Sequence, residues 1–342
     1  MCEASDVSSL PTHLPKPAGT LPPGLGHWLG AAASLGLFAV AAFVMGRAVS
    51  ELSFAELAAA MSETRGAQIL AALLATAFSY LALVGYDLLA LRRMGLRAPL
   101  GVVALASLAG NAFSFTLGLP LLTGAASRYW VYAKAGLTAG HVANITLFAT
   151  LTFWLGMAAL LGLGLILAAA PLSSIDHLPA AANFALGALL IGALALYAVW
   201  AWGGRRRVRL WGGAIDLPRP RVMLAQIALG VADIGCAAAT LYVLLPAESQ
   251  AVGFPALATL YVAAAIVGGI SHAPGGVGVF EAFMLGALPA PSREALLAAL
   301  LTFRAVYYVV PFLLAAALMA LRGGRAPFAE LAGMSRRWRV TG

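Results

Sequence analysis

The side chains able to do chemistry in this sequence are few, and they stand where charge is expensive. Asp87, Arg128, Asp233, Glu281 and Arg304 all fall within or close to long apolar stretches. An ionisable group inside a membrane segment costs roughly 3 kcal/mol on insertion scales and is by default a candidate for function. Asp233 is the sharpest case, near the middle of segment 222–245; it either serves a site or holds a structural partner inside the bundle. Asp87, in Gly85-Tyr86-Asp87, stands four residues before the end of segment 68–91, so it either joins the site or pairs with Arg92 or Arg93. Arg128 and Glu281 lie eight and seven residues past Pro120 and Pro274, in Ser127-Arg128-Tyr129 and Val279-Phe280-Glu281. Glu281 and Arg304 either pair with each other or share the site with Arg128.

These residue types suit one kind of ligand. A guanidinium presents a planar fork that grips two phosphate oxygens at once, which makes Arg128 the candidate phosphate ligand. Asp and Glu can neutralise a cationic group, so a cavity holding both signs of charge fits a zwitterionic or mixed-charge phospholipid head group. Helix N-termini just past Gly124 and Gly278 would offer free N–H groups to an anion. Ser127, Tyr86, Tyr129, Tyr132, Tyr307 and Tyr308 are candidate lining residues, although tyrosine in membrane helices also serves at interfaces and in cores. No metal set, CxxC or cofactor motif is present. The run Pro274-Gly275-Gly276-Val277-Gly278 lacks the Lys-Ser/Thr of a nucleotide loop, so no cofactor is expected. Ser271 beside His272 is weak support for an intramembrane enzyme, since no conventional triad accompanies it.

The elements that must position these residues are membrane helices. Of 342 residues, 62% are hydrophobic and 10% charged, a balance no water-facing domain carries. Apolar segments run at 28–46, 68–91, 100–118, 142–170, 183–202, 222–245, 255–270, 278–288 and 294–321, several of them about 20 residues long, enough to cross a bilayer. The net charge of +8 does not point to nucleic acid, because 14 of 21 Lys and Arg crowd into 92–99, 203–221 and 322–342. Basic loops mark the cytoplasmic side. The sequence therefore predicts a bacterial inner-membrane protein with both termini cytoplasmic: a tail over 1–27, a membrane domain over 28–321, and a basic tail over 322–342.

Those orientations leave 100–140 and 255–291 each returning to the side it left. Both stretches break at Pro and Gly: Pro120 and Gly124 in the first, His272, Pro274, Gly275, Gly276 and Gly278 in the second. Proline lacks an N–H and ends or kinks a helix. Pro120 and Pro274 are 154 residues apart, and so are Gly124 and Gly278. The expected fold is an all-α polytopic membrane protein with six full spans and two re-entrant helical hairpins. Its inverted-topology repeat covers 28–170 and 183–321, with substrate near the midplane where the broken helices meet.

Six motifs occur in order: Gly85-Tyr86-Asp87 to Arg92, Gly124 to Tyr132, Leu151 to Gly156, Asp233 with Leu241 to Pro246, Ser271 to Glu281, and Arg304 to Tyr308. Together they resemble the transmembrane domain of lysylphosphatidylglycerol synthases (the multiple peptide resistance factor family) and their stand-alone YbhN-like relatives, over about 28–321. The resemblance implies a flippase for aminoacylated phosphatidylglycerol or a related lipid, a role in resistance to cationic peptides, and functional positions at Asp87, Arg128 and Asp233. Full-length members add a soluble aminoacyl-tRNA-dependent transferase; the chain stops at Gly342, so neither that enzyme activity nor a tRNA partner is expected. A competing reading is a non-transporting subunit that docks or regulates a lipid-synthesis enzyme. The sequence leaves open the lipid, the driving force and whether copies form a homo-oligomer.

Overall fold

The computed structural model describes residues 64–117, 120–202, 207–210, 213–216, 220–271 and 274–322. The tail over 1–27, the segment 28–46, His272 and the basic tail after Arg322 lie outside the described residues. The first helices are α1 Gly66–Arg93, α2 Leu100–Leu117, α3 Pro120–Ala133, α4 Ala139–Leu167, α5 Ala169–Asp176 and α6 Ala180–Trp202; all but α3 and α5, which no apolar run anticipated, begin and end within a few residues of such a run. After them come α7 Pro220–Leu244, α8 Ala247–Gln250, α9 Phe254–Ile270, α10 Val279–Ala287, α11 Arg293–Arg304 and α12 Val310–Arg322. The 203–221 loop, not anticipated to have structure, carries a short two-stranded ribbon with Arg207 opposite Asp216 and Leu210 opposite Gly213. Among the described residues, five helical spans are long and apolar enough to cross a membrane: α1, α4, α6, α7 and the α11–α12 run. Outward-facing Leu70, Leu74, Phe78 and Leu81 recur at helical spacing along α1, as a lipid-facing side requires.

Local chemistry sets the boundaries. Thr138 Oγ1 accepts from His141 N (3.3 Å) at the start of α4, and Ser292 Oγ accepts from Ala295 N (3.1 Å) at the start of α11. Between α11 and α12 the backbone widens into a π turn over Ala305–Val309. Pro311 cannot donate to the carbonyl of Tyr307 four residues earlier, which removes a helical bond at that point. Tyr80 of α1 supplies a replacement donor, its hydroxyl 3.5 Å from Tyr307 O.

At the centre, α1 and α7 run antiparallel. Gln68 Nε2 donates to Val243 O (3.0 Å), the hydroxyls of Thr76 and Thr240 meet at 3.3 Å, Ser79 meets Asp233, and Gly85 faces Leu229. Helix α4 crosses α7 where Gly156 and Gly230 bring the two backbones together, and Gln226 Nε2 donates to Thr152 Oγ1 (2.9 Å) beside that crossing.

Two adjacent arginines mark one end of the bundle. Arg92 and Arg93 close α1, and Leu318 and Met319 of α12 pack with Ala90, Leu91 and Val103 at the same end, where Arg93 also lies 5.6 Å from the ring centroid of Phe148 on α4. Val131 and Leu137 join that cluster, so the α2–α3 pair starts and finishes at the arginine end. The α9–α10 pair starts and finishes at the other end, where Ser249 Oγ donates to Pro289 O (2.5 Å). Between the ends the two breaks meet: a Cβ on Gly275 would lie 2.9 Å from Phe115 O at the far end of α2. Gly275 has φ +61°, a conformation glycine takes without strain.

Candidate functional site

Three buried polar clusters gather around the place where the breaks meet. In the first, Asp233 accepts from two hydroxyls of α1: Ser79 Oγ on Oδ1 (2.5 Å) and Tyr86 OH on Oδ2 (2.9 Å). Ser79 Oγ is also 2.8 Å from the hydroxyl of Tyr307 in the π turn. Asp233 is 1% exposed, and none of its described hydrogen-bond partners is a cation.

The second cluster ties α1 to the α2–α3 pair. Asp87 does not reach for Arg92 or Arg93; it pairs with Arg128, whose Nε donates to Oδ2 at 3.3 Å, and Tyr132 OH donates to the same oxygen at 2.9 Å. Arg128 Nη2 donates to Asn111 Oδ1 at 3.1 Å, leaving the guanidinium fixed from two sides. Space for it comes from Gly110, where a Cβ would sit 2.6 Å from Arg128 Cγ. Gly124, expected at a helix break with a free N-terminus just past it, lies instead one turn inside α3, which starts at Pro120; there it lets α3 close on Gly110 O and Ser114 of α2.

The third cluster links Glu281 and Arg304, which do pair with each other: Nε donates to Oε1 at 2.6 Å. Arg304 Nη1 donates to Gly275 O, and Glu281 Oε2 accepts from Gly278 N at 2.8 Å, capping α10. The guanidinium carbon lies 4.8 Å from the ring centroid of Tyr308 and 5.3 Å from that of Phe280. These bonds lock the second break to the last helix. Glu281→Ala is therefore expected to destabilise the protein by about 3 kcal/mol or more, since it leaves Arg304 buried without its carboxylate. Thermal unfolding in detergent measures this, and Glu281→Gln, which keeps an acceptor for Gly278 N, should recover part of the loss.

A cavity of about 560 Å³ lies among these clusters. Tyr86, Asn111, Arg128, Asp233, Tyr307 and Tyr308 give it polar surface, so the first two clusters reach it directly. Phe153, Met157 and Phe280 supply apolar wall, and the lining continues to the outer surface of the bundle at Trp154 and Ile270, which are 50% and 64% exposed. The volume falls within the range of about 300–1,000 Å³ typical of small-molecule sites.

Of the residues singled out in the sequence, Tyr86, Arg128, Asp233, Tyr307, Tyr308, Gly275 and Gly276 line the cavity. Asp87, Tyr132, Glu281 and Arg304 stand behind that lining and hold it in place. Ser127 turns back to donate to Thr123 O (2.7 Å) in its own helix, and Tyr129 packs in the cluster at the arginine end; neither lines the cavity. Sequence reasoning missed Ser79, Asn111 and Gly110. Ser79 alone had a readable signal: it precedes Asp233 by 154 residues, the same interval that separates the paired prolines.

Residues 28–315 match the family model of the lysylphosphatidylglycerol synthase transmembrane region. An uncharacterized protein of Synechocystis, slr0712, is 33% identical over 236 residues, covering 68% of this chain and 72% of its own length. The inner membrane protein YbhN of Escherichia coli is 31% identical over 243 residues, covering 69% of this chain and 74% of its own length. With membrane-length helices around a buried polar core and the family match across the same span, this chain belongs to the lysylphosphatidylglycerol synthase transmembrane-region family of membrane proteins.

Proposed function

We propose that this protein is a phospholipid translocase that takes a lipid head group into its central cavity while the acyl chains stay in the bilayer. The observation carrying this reading is that Arg128 and Asp233, opposite in charge and buried on different helices, line one cavity that reaches the outer surface of the bundle. Arg128 receives the lipid phosphate; its Nε and Nη2 are oriented by Asp87 and Asn111. Trp154 and Ile270 mark the opening through which the chains emerge. An aminoacylated phosphatidylglycerol is one substrate that matches both charges.

Alternating exposure follows from an inverted-topology repeat over 28–170 and 183–321, with α2–α3 and α9–α10 as re-entrant hairpins and the arginine end in the cytoplasm. Three features support this. The hairpins have their bases at opposite ends of the bundle and touch at their tips. Helices α1 and α7, equivalent under the 154-residue offset, lie antiparallel at the centre. Ser79 and Asp233, equivalent under the same offset, bond to each other, as residues on a two-fold axis between inverted repeats must.

Purified protein reconstituted with tail-labelled phosphatidylglycerol tests the reading. Wild-type protein should exchange the label between leaflets. Arg128→Lys keeps the charge but loses the fork, and should slow exchange by about tenfold or more, the equivalent of one or two charge-assisted hydrogen bonds. Asp233→Asn should abolish it with membrane insertion intact. Wild-type exchange no faster than in empty vesicles would remove the proposal.

A further inference from the structure

Asp233 differs from the other buried acids in its company. Asp87 has Arg128 and Glu281 has Arg304, each at ion-pair distance. Asp233, equally buried and lining the same cavity, accepts among the described residues only from Ser79 and Tyr86. A carboxylate at membrane depth without a cation sheds the cost of its charge by taking a proton or a cationic ligand. Among the described residues, no cation stands at ion-pair distance from Asp233. Helix α1 presents Tyr80 and Tyr86, with Asp87 turned to Arg128. Tyr261 comes from α9 and Tyr307 from the π turn, while Cys236 shares α7. Arg304 at the end of α11 is committed to Glu281 and Gly275, His141 of α4 is bound at the N-cap of its own helix, and Tyr197 of α6 pairs with Trp200.

The hydroxyls around Asp233 form a chain. Ser79 stands between Asp233 Oδ1 at 2.5 Å and the Tyr307 hydroxyl at 2.8 Å, and either hydroxyl of the second contact can donate. With Asp233 ionised, Tyr307 donates to Ser79 and Ser79 to the carboxylate. With Asp233 protonated, the carboxyl donates to Ser79 and the direction reverses. Both charge states are thus accommodated without moving a heavy atom.

We propose that Asp233 is a proton-binding site, and that its charge decides whether a phosphodiester anion can occupy the cavity at Arg128. This rests on the translocase reading and adds its second substrate: for an anionic head group the proton takes the place at Asp233 that the amine of an aminoacylated head group would fill. The Asp87–Arg128 pair is close to neutral as a unit, so an anion arriving beside an ionised Asp233 meets net negative charge in a poorly screened space. A proton on Asp233 removes that repulsion. The anion and the proton then enter together and leave together, and head-group movement is coupled to proton movement. Sign is the signature: the phosphodiester binds with proton uptake, so its affinity is greatest at low pH and falls as Asp233 loses its proton, by up to about tenfold per pH unit for one linked proton.

The test uses dioleoyl phosphatidylglycerol as probe, titrated into the full chain in detergent at pH values from about 5 to 9. Weakly buffered samples with an indicator dye report proton uptake on lipid addition, a measurement needing wild-type protein alone. Wild type should bind more tightly at acid pH and take up protons. Asp233→Asn should bind as tightly as acid wild type at every pH, take up none, and fail to move lipid in vesicles, because its amide cannot release a proton. A soluble glycerophosphoglycerol arm separates lipid from free anion: binding at least tenfold weaker supports a lipid occupant. Fragment binding equal to lipid, pH-independent wild-type binding, affinity rising with pH, or pH dependence surviving in Asp233→Asn each overturn the proposal. Lipid exchange that proceeds in wild-type vesicles without proton uptake would sink the coupling while leaving the translocase intact.

Discussion

Asp87→Leu is expected to lower stability by about 3–5 kcal/mol, Arg128→Met by a similar amount, and the two together by far less than either alone. The asymmetry comes from burial. Asp87 is wholly buried and Arg128 is 3% exposed, so neither charge can turn to water when its partner goes. Among the described residues, a lone Arg128 would retain only Asn111, and a lone Asp87 only the Tyr132 hydroxyl. Asp87 Oδ1 already lacks a hydrogen-bond partner among the described residues, so losing the guanidinium leaves the carboxylate poorly served. Replacing both by apolar side chains of similar size removes the two desolvation costs along with their attraction. Thermal unfolding in detergent of the two single variants and the double variant gives the coupling energy directly. The same proteins separate folding from function. The double variant should recover stability, yet lipid exchange should stay lost, because nothing in the cavity then grips a phosphate. Recovered exchange in a stable double variant would show that Arg128 is only a structural tie.

The contrast between what the sequence disclosed and what it hid has a physical basis. Helix limits were legible because an apolar run has to match bilayer thickness: 68–91 became Gly66–Arg93 and 222–245 became Pro220–Leu244. The buried charges were legible for the same reason, since a solvating environment is absent and each one stands out. Their partners were not. Whether Asp87 faces Arg92 or Arg128 depends on how α3 packs across α1, and no local pattern encodes that. Ser79 and Asn111 were hidden because a serine or asparagine in a membrane helix usually satisfies itself on its own backbone. Ser114 donating to Gly110 O and Thr302 to Ala298 O do so here. The π turn had a marker in Pro311, inside a segment read as one uninterrupted span. That marker matters to the site, because the turn carries Tyr307 and Tyr308 into the cavity.

Gly156→Ala is expected to cost about 1–3 kcal/mol, and Gly156→Leu to prevent the bundle from closing. The site depends on this crossing more than on any single polar contact outside it. A Cβ on Gly230 would lie 2.6 Å from Gly156 Cα and 2.8 Å from Thr152 O, and one on Gly156 would meet the Gly230 backbone in return. Both collisions are with backbone, so no rotamer change relieves them and the helices must separate. Gly85 is the internal control. There a Cβ would meet only the Leu229 side-chain tip, at 2.8 Å, and Gly85→Ala should be absorbed with little loss. Separation of α4 from α7 would pull Thr152 off Gln226 and shift Asp233, one turn along α7, relative to Phe153 and Trp154 across the cavity. Gly156→Ala should therefore lose lipid exchange out of proportion to its loss of stability, while Gly85→Ala keeps both. Unfolding temperature and exchange rate, measured on the two variants side by side, decide it: equal, small effects at both glycines would mean the crossing is not what sets the width of the cavity.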